Sequence, residues 1–182
     1  MFGVNPARLA DPELVDLVAQ GNEKAFAEVV SRHQDAVYGF ALRMLGDPQE
    51  AEDTAQEAFL RFFKATSRYR REAALRTYLL KIVKNLCIDL FRKKKPELME
   101  ELPETVDPDT PLDLLEGALA RDVLERAVAG LPANQQTAIL LRHVEQMSYS
   151  QISEVMDLSL GAVESLLVRA RKTLRNVLSE KS

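Results

Sequence analysis

The residues able to carry covalent or metal chemistry are few and scattered in this sequence. Its 182 residues include two histidines, His33 and His143, and one cysteine, Cys87, which lies in an apolar stretch. None of the three has partners at the spacing that a metal site or an activated nucleophile requires. We therefore predict no catalytic residue, no metal site and no cofactor, and we expect both histidines at the surface or in helix caps.

Recognition chemistry is concentrated in residues 161–175, GAVESLLVRARKTLR, which carry a glutamate in the first turn. If this segment forms a helix that lies in the major groove of DNA, Glu164 and Ser165 are placed to face the edges of the bases. A carboxylate can accept a hydrogen bond from a cytosine amino group. Four cations suited to phosphate contacts follow: Arg169, Arg171, Lys172 and Arg175. The same order of charges also complements a helix dipole without any DNA. By itself, this segment leaves both interpretations open.

The surrounding residues predict a helix-turn-helix, a motif whose second helix projects into the major groove. Ser148 and Gln151 match a capping box, and Asp157-Leu158-Ser159 makes a three-residue turn in which Ser159 can cap the next helix. The predicted buried positions are Ile152, Met156, Val163, Leu167 and Ala170. The predicted outward positions of the second helix are Gly161, Glu164, Ser165, Val168, Arg169 and Lys172.

The first half of the chain contains the start and stop signals of consecutive amphipathic helices. Two Asp-Pro pairs fit a cap followed by a proline at the first helical position: Asp11-Pro12 and Asp47-Pro48. Gly21 and Gly46 fit helix stops, and Asn22 fits a cap. After Asn22, one apolar pattern holds Phe26, Val29 and Val30, and a third helical pattern follows through Val37, Ala41, Met44 and Leu45.

Two further helices are predicted from apolar spacing. One buries Ala51, Ala55, Ala58 and Phe62, and its opposite face carries Glu50, Asp53 and Glu57. The other buries Leu75, Leu79, Ile82, Leu86 and Leu90. Between them lies a basic loop that contains Tyr69, and an aromatic ring among arginines is suited to capturing an unstacked base. The acidic face fits docking on a basic protein surface or a solvated face, and Tyr69 alone also fits an aromatic at a domain edge.

The net charge of −4 conceals alternating blocks of charge. Residues 61–95 carry twelve Lys and Arg against two Asp and Glu, whereas residues 96–126 carry two against ten. A polyanion would feel the basic block within a Debye length of about 8–10 Å. The stretch KKKPELMEELPETVDPDTP shifts from basic to acidic and holds four prolines, which is typical of an extended linker.

These patterns predict an all-α protein of two small helical domains joined by a flexible acidic linker, with a helix-turn-helix in the C-terminal domain. We place a tail at residues 1–10, the first domain at 11–94, the linker at 95–113 and the second domain at 114–182. No leader pattern and no apolar run of about 20 residues is present, so we expect no membrane span and a cytoplasmic protein.

The order of these elements resembles the extracytoplasmic-function (ECF) sigma factors, small members of the sigma-70 family that serve bacterial RNA polymerase. The resemblance covers about residues 11–177. Four segments carry it: AEDTAQEAFLRFF, LRTYLLKIVKNLCIDLFR, LPANQQTAILLRHVEQMSYSQISEVMDLS and AVESLLVRARKTLR. It implies that the chain binds core polymerase, at the clamp of the largest subunit and at the flap, and directs initiation at specific promoters.

The resemblance also implies a role for particular residues. Those matching the family's clamp-binding helix are Glu50, Glu52, Asp53, Gln56 and Glu57. Those matching its contacts with single-stranded −10 DNA are Tyr69, Arg70, Arg71, Asn85, Asp89 and Arg92. Those matching its contacts with duplex −35 DNA are Ser159, Glu164, Ser165, Val168, Arg169, Arg171 and Lys172. An anti-sigma factor is a further implied partner.

The sequence departs from the family pattern at four positions. Tyr78 replaces a common tryptophan and Leu75 a phenylalanine, which we expect to alter packing only. Glu164 and Leu166 replace basic residues of the recognition helix, which predicts a different −35 preference and weaker non-specific phosphate binding.

Two other functions fit parts of the sequence. A stand-alone helix-turn-helix regulator with a helical sensor domain accounts for residues 131–177 but leaves the acidic helix and the basic loop without a role. A helical adaptor that touches no DNA is the other alternative.

Overall fold

The computed structural model describes residues 5–69, 74–94 and 121–179, and these ranges contain only helices and the turns between them. The α-helices are α1 Asp11–Ala19, α2 Glu23–Leu45, α3 Pro48–Ala65, α4 Leu75–Lys94, α5 Arg121–Ala129, α6 Ala133–Ile139, α7 Tyr149–Met156 and α8 Leu160–Ser179. The predicted all-α class is confirmed. Arg70, Arg71 and the predicted linker at residues 95–113 lie outside the described residues.

The chain divides into two compact units, residues 1–86 and 87–182. The division falls within α4, whereas the sequence places the end of the first domain at residue 94. The domain and linker boundaries therefore stay a prediction. No helix of the described ranges has the length and hydropathy that are needed to cross a bilayer.

In the first unit, α2 packs along α3 and also contacts α1. The side chain of Asn22 caps α2 by accepting a hydrogen bond from the backbone N–H of Ala25 at 3.0 Å, as predicted. The two apolar patterns after Asn22 belong to this one helix, so the prediction of a separate third helix was wrong. No glycine or proline interrupts the chain between Val30 and Val37, and the helix ends at Gly46, whose φ is 73°.

The predicted start of α1 was also wrong, because Asp11 is the first helical residue rather than the cap. Its carboxylate turns to α2, where Oδ2 lies 3.0 Å from Nε2 of His33 and Oδ1 lies 3.3 Å from Nη1 of Arg32. Glu13 instead accepts a hydrogen bond from the backbone N–H of Ala10 at 2.8 Å. The carboxylate that local sequence assigns to a cap thus serves a contact between two helices.

His33 is buried, with 9% of its surface exposed, which contradicts the expectation of a surface or capping residue. Burial lowers its pKa below the ordinary value of 6.5. The charge and hydrogen bond of Asp11 oppose this shift, while Arg76 and Arg32 reinforce it. In the folded chain His33 therefore resists protonation.

We expect acid to destabilise the protein through His33. The unfolded chain takes up this proton at the ordinary pKa of 6.5, so the free energy of unfolding falls as the pH drops below that value, until the lower folded pKa is passed. Urea unfolding from about pH 7.5 to about pH 5 should therefore show a smaller acid-induced loss for His33→Gln than for the wild type. His143 is present in both proteins and cancels in the comparison. Parallel pH profiles would contradict the expectation.

The buried face of α3 is the predicted one, whereas that of α4 is rotated. Ala51, Ala55, Ala58 and Phe62 are buried as expected. On α4, Leu75 and Leu79 are buried, but Ile82, Leu86 and Leu90 are only half-buried. The residues buried instead are Leu80, Val83, Cys87, Ile88 and Phe91. The predicted apolar stripe of α4 therefore lies at the edge of its buried surface rather than at its centre.

Cys87 is fully buried, and this burial raises the pKa of its thiol to about 12. Since the thiolate is the reactive form of cysteine, the side chain acts as a small apolar residue of the interior.

In the second unit, α8 packs against α5, α6 and α7. Helix α6 continues into a π-helical turn at Leu140–Val144. The hydroxyl of Thr173 donates to the buried Gln135 of α6 at 3.2 Å, so a polar contact accompanies the apolar packing between α6 and α8.

Candidate nucleic-acid and protein interfaces

The turn between α7 and α8 has the geometry of a helix-turn-helix. Helix α7 begins at a complete capping box, in which the Ser148 and Gln151 side chains each accept from the other's backbone N–H, at 3.2 and 2.9 Å. It ends at Asp157, which is left-handed at φ 56° and ψ 43°. The N–H of Leu158 then donates a hydrogen bond to the carbonyl of Ser153 at 3.2 Å, which fixes the direction in which the chain leaves α7. The predicted capping box and turn are confirmed.

Helix α8 begins where the sequence predicts it. The hydroxyl of Ser159 accepts from the backbone N–H of Ala162 at 3.2 Å and so caps the helix. All the predicted inward positions are buried: Ile152, Met156, Val163, Leu167 and Ala170. Leu166 is fully buried as well, which places the residue that replaces a family cation in the interior.

The predicted reading face of α8 is partly accessible. Gly161, Glu164 and Lys172 are exposed, as is the cap residue Ser159. The remaining candidates are half-buried: Ser165, Val168, Arg169, Arg171 and Arg175. The cations follow the acid along one helix, so a ligand at the outward face would meet Glu164 first and positive charge further along.

Positive charge at the start of α7 was missed by sequence reasoning. Nη1 of Arg142 donates to the carbonyl of Met147 at 2.9 Å, and its guanidinium lies 5.3 Å from the centre of the Tyr149 ring. Partial burial and the charges of Arg171 and Arg142 lower the pKa of the exposed His143, whose predicted surface position is confirmed. With the pKa of His143 lowered, the positive charge here is that of Arg142 and Arg171, which lie far apart in the sequence.

The acidic candidates lie on the solvent-facing side of α3. Glu52, Asp53 and Gln56 are exposed, and Glu50 and Glu57 are half-buried. Nε of Arg61 donates to Glu57 at 2.8 Å, and this hydrogen bond lowers the pKa of the Glu57 carboxyl. The structure thus brings the five residues onto one helix surface that is negative at neutral pH.

Two apolar residues extend this surface and were not predicted. Leu60 is 49% exposed, and Phe63 is 43% exposed although its ring packs edge-on against Phe26 at 5.1 Å. Glu57, Leu60 and Phe63 follow one another at intervals of three residues, which was the signal in the sequence. Large exposed side chains next to carboxylates are typical of a protein-binding surface.

Tyr69, the predicted base-stacking residue, is half-buried. Its ring lies 4.8 Å from that of Tyr78, which in turn lies 6.4 Å from Phe62 on α3. The half-buried Tyr69 ring therefore packs against Tyr78, and Tyr78 in turn packs against Phe62.

Three polar candidates share one side of α4. Asn85, Asp89 and Arg92 are exposed and recur at spacings of four and three residues. The ammonium of Lys84 donates to Oδ1 of Asn85 at 2.7 Å, while Arg92 and Asp89 form a longer ion pair at 3.7 Å. This side of α4 offers both hydrogen-bond donors and hydrogen-bond acceptors to a single DNA strand.

No group of three or more His, Cys, Asp or Glu residues in the described ranges could hold a metal ion. The chemistry that these surfaces offer is non-covalent: charge, hydrogen bonds, aromatic faces and apolar contact.

Comparison with known proteins identifies the family. Residues 29–97 match the family model for sigma-70 region 2, and residues 121–174 match that for sigma-70 region 4. The ECF RNA polymerase sigma factor SigW of Bacillus subtilis is 31% identical over 175 residues, which cover 90% of this chain and 94% of that protein. The ECF RNA polymerase sigma-E factor of Haemophilus influenzae is 34% identical, over 93% of this chain and 95% of its own.

Solved structures share the fold. CnrH, solved in complex with the cytosolic domain of CnrY, aligns with a TM-score of 0.71 and 24% identity over 94% of this chain and 99% of its own. The sigma factor RpoE of Bartonella quintana, solved with the anti-sigma factor NepR, aligns with a TM-score of 0.65 and 22% identity, over 86% and 98% of the two chains. The chain belongs to the sigma-70 family, as an ECF sigma factor.

Proposed function

We propose that this sigma factor docks on core RNA polymerase through α3, opens the promoter with Tyr69 and α4, and reads the −35 element as duplex with α7 and α8. The observation that carries the proposal is the helix-turn-helix, whose second helix presents Glu164 and Lys172 outward while Val163, Leu166 and Leu167 hold it to the unit. We assign residues 11–94 to region 2, 95–113 to the linker and 114–182 to region 4.

The two halves of α8 make different contacts with duplex DNA. Ser159, Glu164, Ser165 and Val168 stand at the leading half, where a recognition helix contacts base edges. Arg169, Arg171 and Lys172 stand further along and contact phosphates, which fixes the register of the helix in the groove. Arg142, which contacts Tyr149 at the start of α7, adds positive charge to this unit.

Opening of the −10 element uses the aromatic surface. Tyr69 stacks on a base released from the duplex, because its ring is only half-buried and packs against that of Tyr78. Asn85, Asp89 and Arg92 line the path of the strand, and Arg70 and Arg71 contribute charge next to Tyr69.

Docking on polymerase uses the acidic side of α3, at Glu50, Glu52, Asp53, Gln56 and Glu57. The protein acts in the cytoplasm, where polymerase is found, and catalyses no reaction of its own. We infer that the clamp and flap of core polymerase and an anti-sigma factor are its protein partners. A stand-alone regulator would leave the acidic side of α3 unused.

We expect Asp53→Arg to weaken binding to core polymerase about ten- to a hundredfold, since charge reversal turns an attraction into a repulsion at the centre of the docking surface. Asp35→Arg is the matched control, because Asp35 is an exposed acid on α2 outside that surface. Fluorescence anisotropy of labelled full-length protein with purified core enzyme measures both. Equal affinities for the two variants would remove α3 from the interface, and failure of the wild type to bind would refute the sigma-factor function.

A further inference from the structure

The leading turn of α8 has two features that packing within residues 5–69, 74–94 and 121–179 does not require. Leu160, its first residue, is 52% exposed, more than the other large apolar residues noted as exposed in the described ranges. Gly161 follows directly. Neither residue contributes to the buried side of α8, which starts at Val163.

Nothing in the described part of the chain explains Gly161. It does not have the positive φ of Gly21 and Gly46, and a Cβ added to it would meet no heavy atom within 4 Å. Alanine would therefore fit and would favour the helix. A glycine at such a position is suited to the close approach of another molecule to the helix backbone.

The side chains that face this approach lie at helical spacing. Leu160, Glu164 and Val168 are four residues apart, so they follow one line along the outward side of α8. Four residues advance a helix by about 6 Å, close to two base-pair steps of about 3.4 Å each. Leu160 and Glu164 are thus spaced to contact bases about two pairs apart.

The chemistry of the two side chains defines the bases. A carboxylate accepts a hydrogen bond from the cytosine amino group and repels the acceptor atoms of guanine, and a methyl-rich side chain packs against the C5-methyl of thymine. All four cations of α8 lie from Arg169 onward. The leading turn can therefore enter the groove while the trailing half stays on the phosphates.

Building on the proposed −35 function, we propose that α8 reads a cytosine through Glu164 and, about two base pairs away, the methyl group of a thymine through Leu160, with Gly161 admitting the DNA to the helix backbone. This assigns a base contact to Leu160 and gives the duplex target a defined chemical pattern.

The test uses the holoenzyme and duplexes selected from a library randomised at the −35 position. We expect selection to fix a cytosine and a thymine about two pairs apart. Replacing that thymine by uracil removes only its methyl group and should weaken closed-complex binding about fourfold. The Leu160→Ala holoenzyme should bind the thymine and uracil duplexes equally, whereas Leu160→Met should retain the difference. Gly161→Ala should weaken binding to every selected duplex without lowering the melting temperature of the free protein.

Equal binding of the thymine and uracil duplexes by the wild type would overturn the proposal, as would a uracil effect that persists in Leu160→Ala. A leading turn that instead serves a protein partner would give the first of these results. Either result leaves the sigma-factor function standing if the holoenzyme still forms and transcribes from the selected promoters.

Discussion

Replacing Leu166 with arginine is expected to destabilise the second unit by about 3–5 kcal/mol rather than to strengthen DNA binding. The family resemblance places a basic residue at this position, so the substitution looks like a restoration. Leu166 is fully buried, however, between the buried residues Val163 and Ala170 of the same helix. An arginine there either buries an unpaired charge or displaces α8 from its packing.

Glu164→Arg is the matched control, since Glu164 is exposed on the same helix. It should leave stability within about 0.5 kcal/mol and strengthen non-specific, salt-dependent binding to duplex DNA. Leu166→Met, which conserves volume, should cost less than about 1.5 kcal/mol. Urea denaturation followed by circular dichroism separates the three variants. A Leu166→Arg protein that is as stable as the wild type and binds DNA more tightly would show that the guanidinium reaches solvent.

Phe62→Ala is expected to cost about 3–5 kcal/mol of folding stability and to impair promoter opening as well. Phe62 is fully buried in α3, and it supports Tyr78, which supports Tyr69. Removing its ring leaves a cavity beside Tyr78, the side chain against which Tyr69 packs.

Tyr69→Ala separates the two effects. Tyr69 is half-buried, so this change should cost far less stability than Phe62→Ala. It should nevertheless slow promoter opening by about 5- to 150-fold, because stacking on a base is worth about 1–3 kcal/mol. Stopped-flow fluorescence measures the rate of promoter opening, and filter binding measures the affinity of the closed complex. The two measurements together show which of the two steps the substitution affects. An equal loss in closed-complex formation and in promoter opening would contradict a stacking role of Tyr69. Normal promoter opening by a folded Phe62→Ala protein would show that Phe62 does not support Tyr69 through Tyr78.

The helix-turn-helix could be predicted in detail because its signals are local. Ser148 with Gln151, the turn at Asp157 and the cap at Ser159 each depend on hydrogen bonds between residues at most a few positions apart. The inward positions of α8 followed from the same 3.6-residue period. The acidic side of α3 was equally visible, since its buried alanines leave only one side for the carboxylates.

Contacts between distant residues could not be predicted in this way. Asp11 has the sequence of a cap, yet its carboxylate binds His33, twenty-two residues away, and burial of that histidine depends on the packing of α1 against α2. The supporting arrangement of Tyr69, Tyr78 and Phe62 similarly depends on how α4 meets α3.

The sequence by itself determined most of the helices and most of their caps, because hydrophobic period and capping are properties of neighbouring residues. It also determined the family, through the order of four matching segments. Only the tertiary structure decided which side of α4 is buried, that Leu166 lies inside, and that Leu160 and Gly161 are exposed without a role in packing. A helix surface becomes interior or exterior only when another helix covers it, and the free energy of that burial depends on residues far away in the chain.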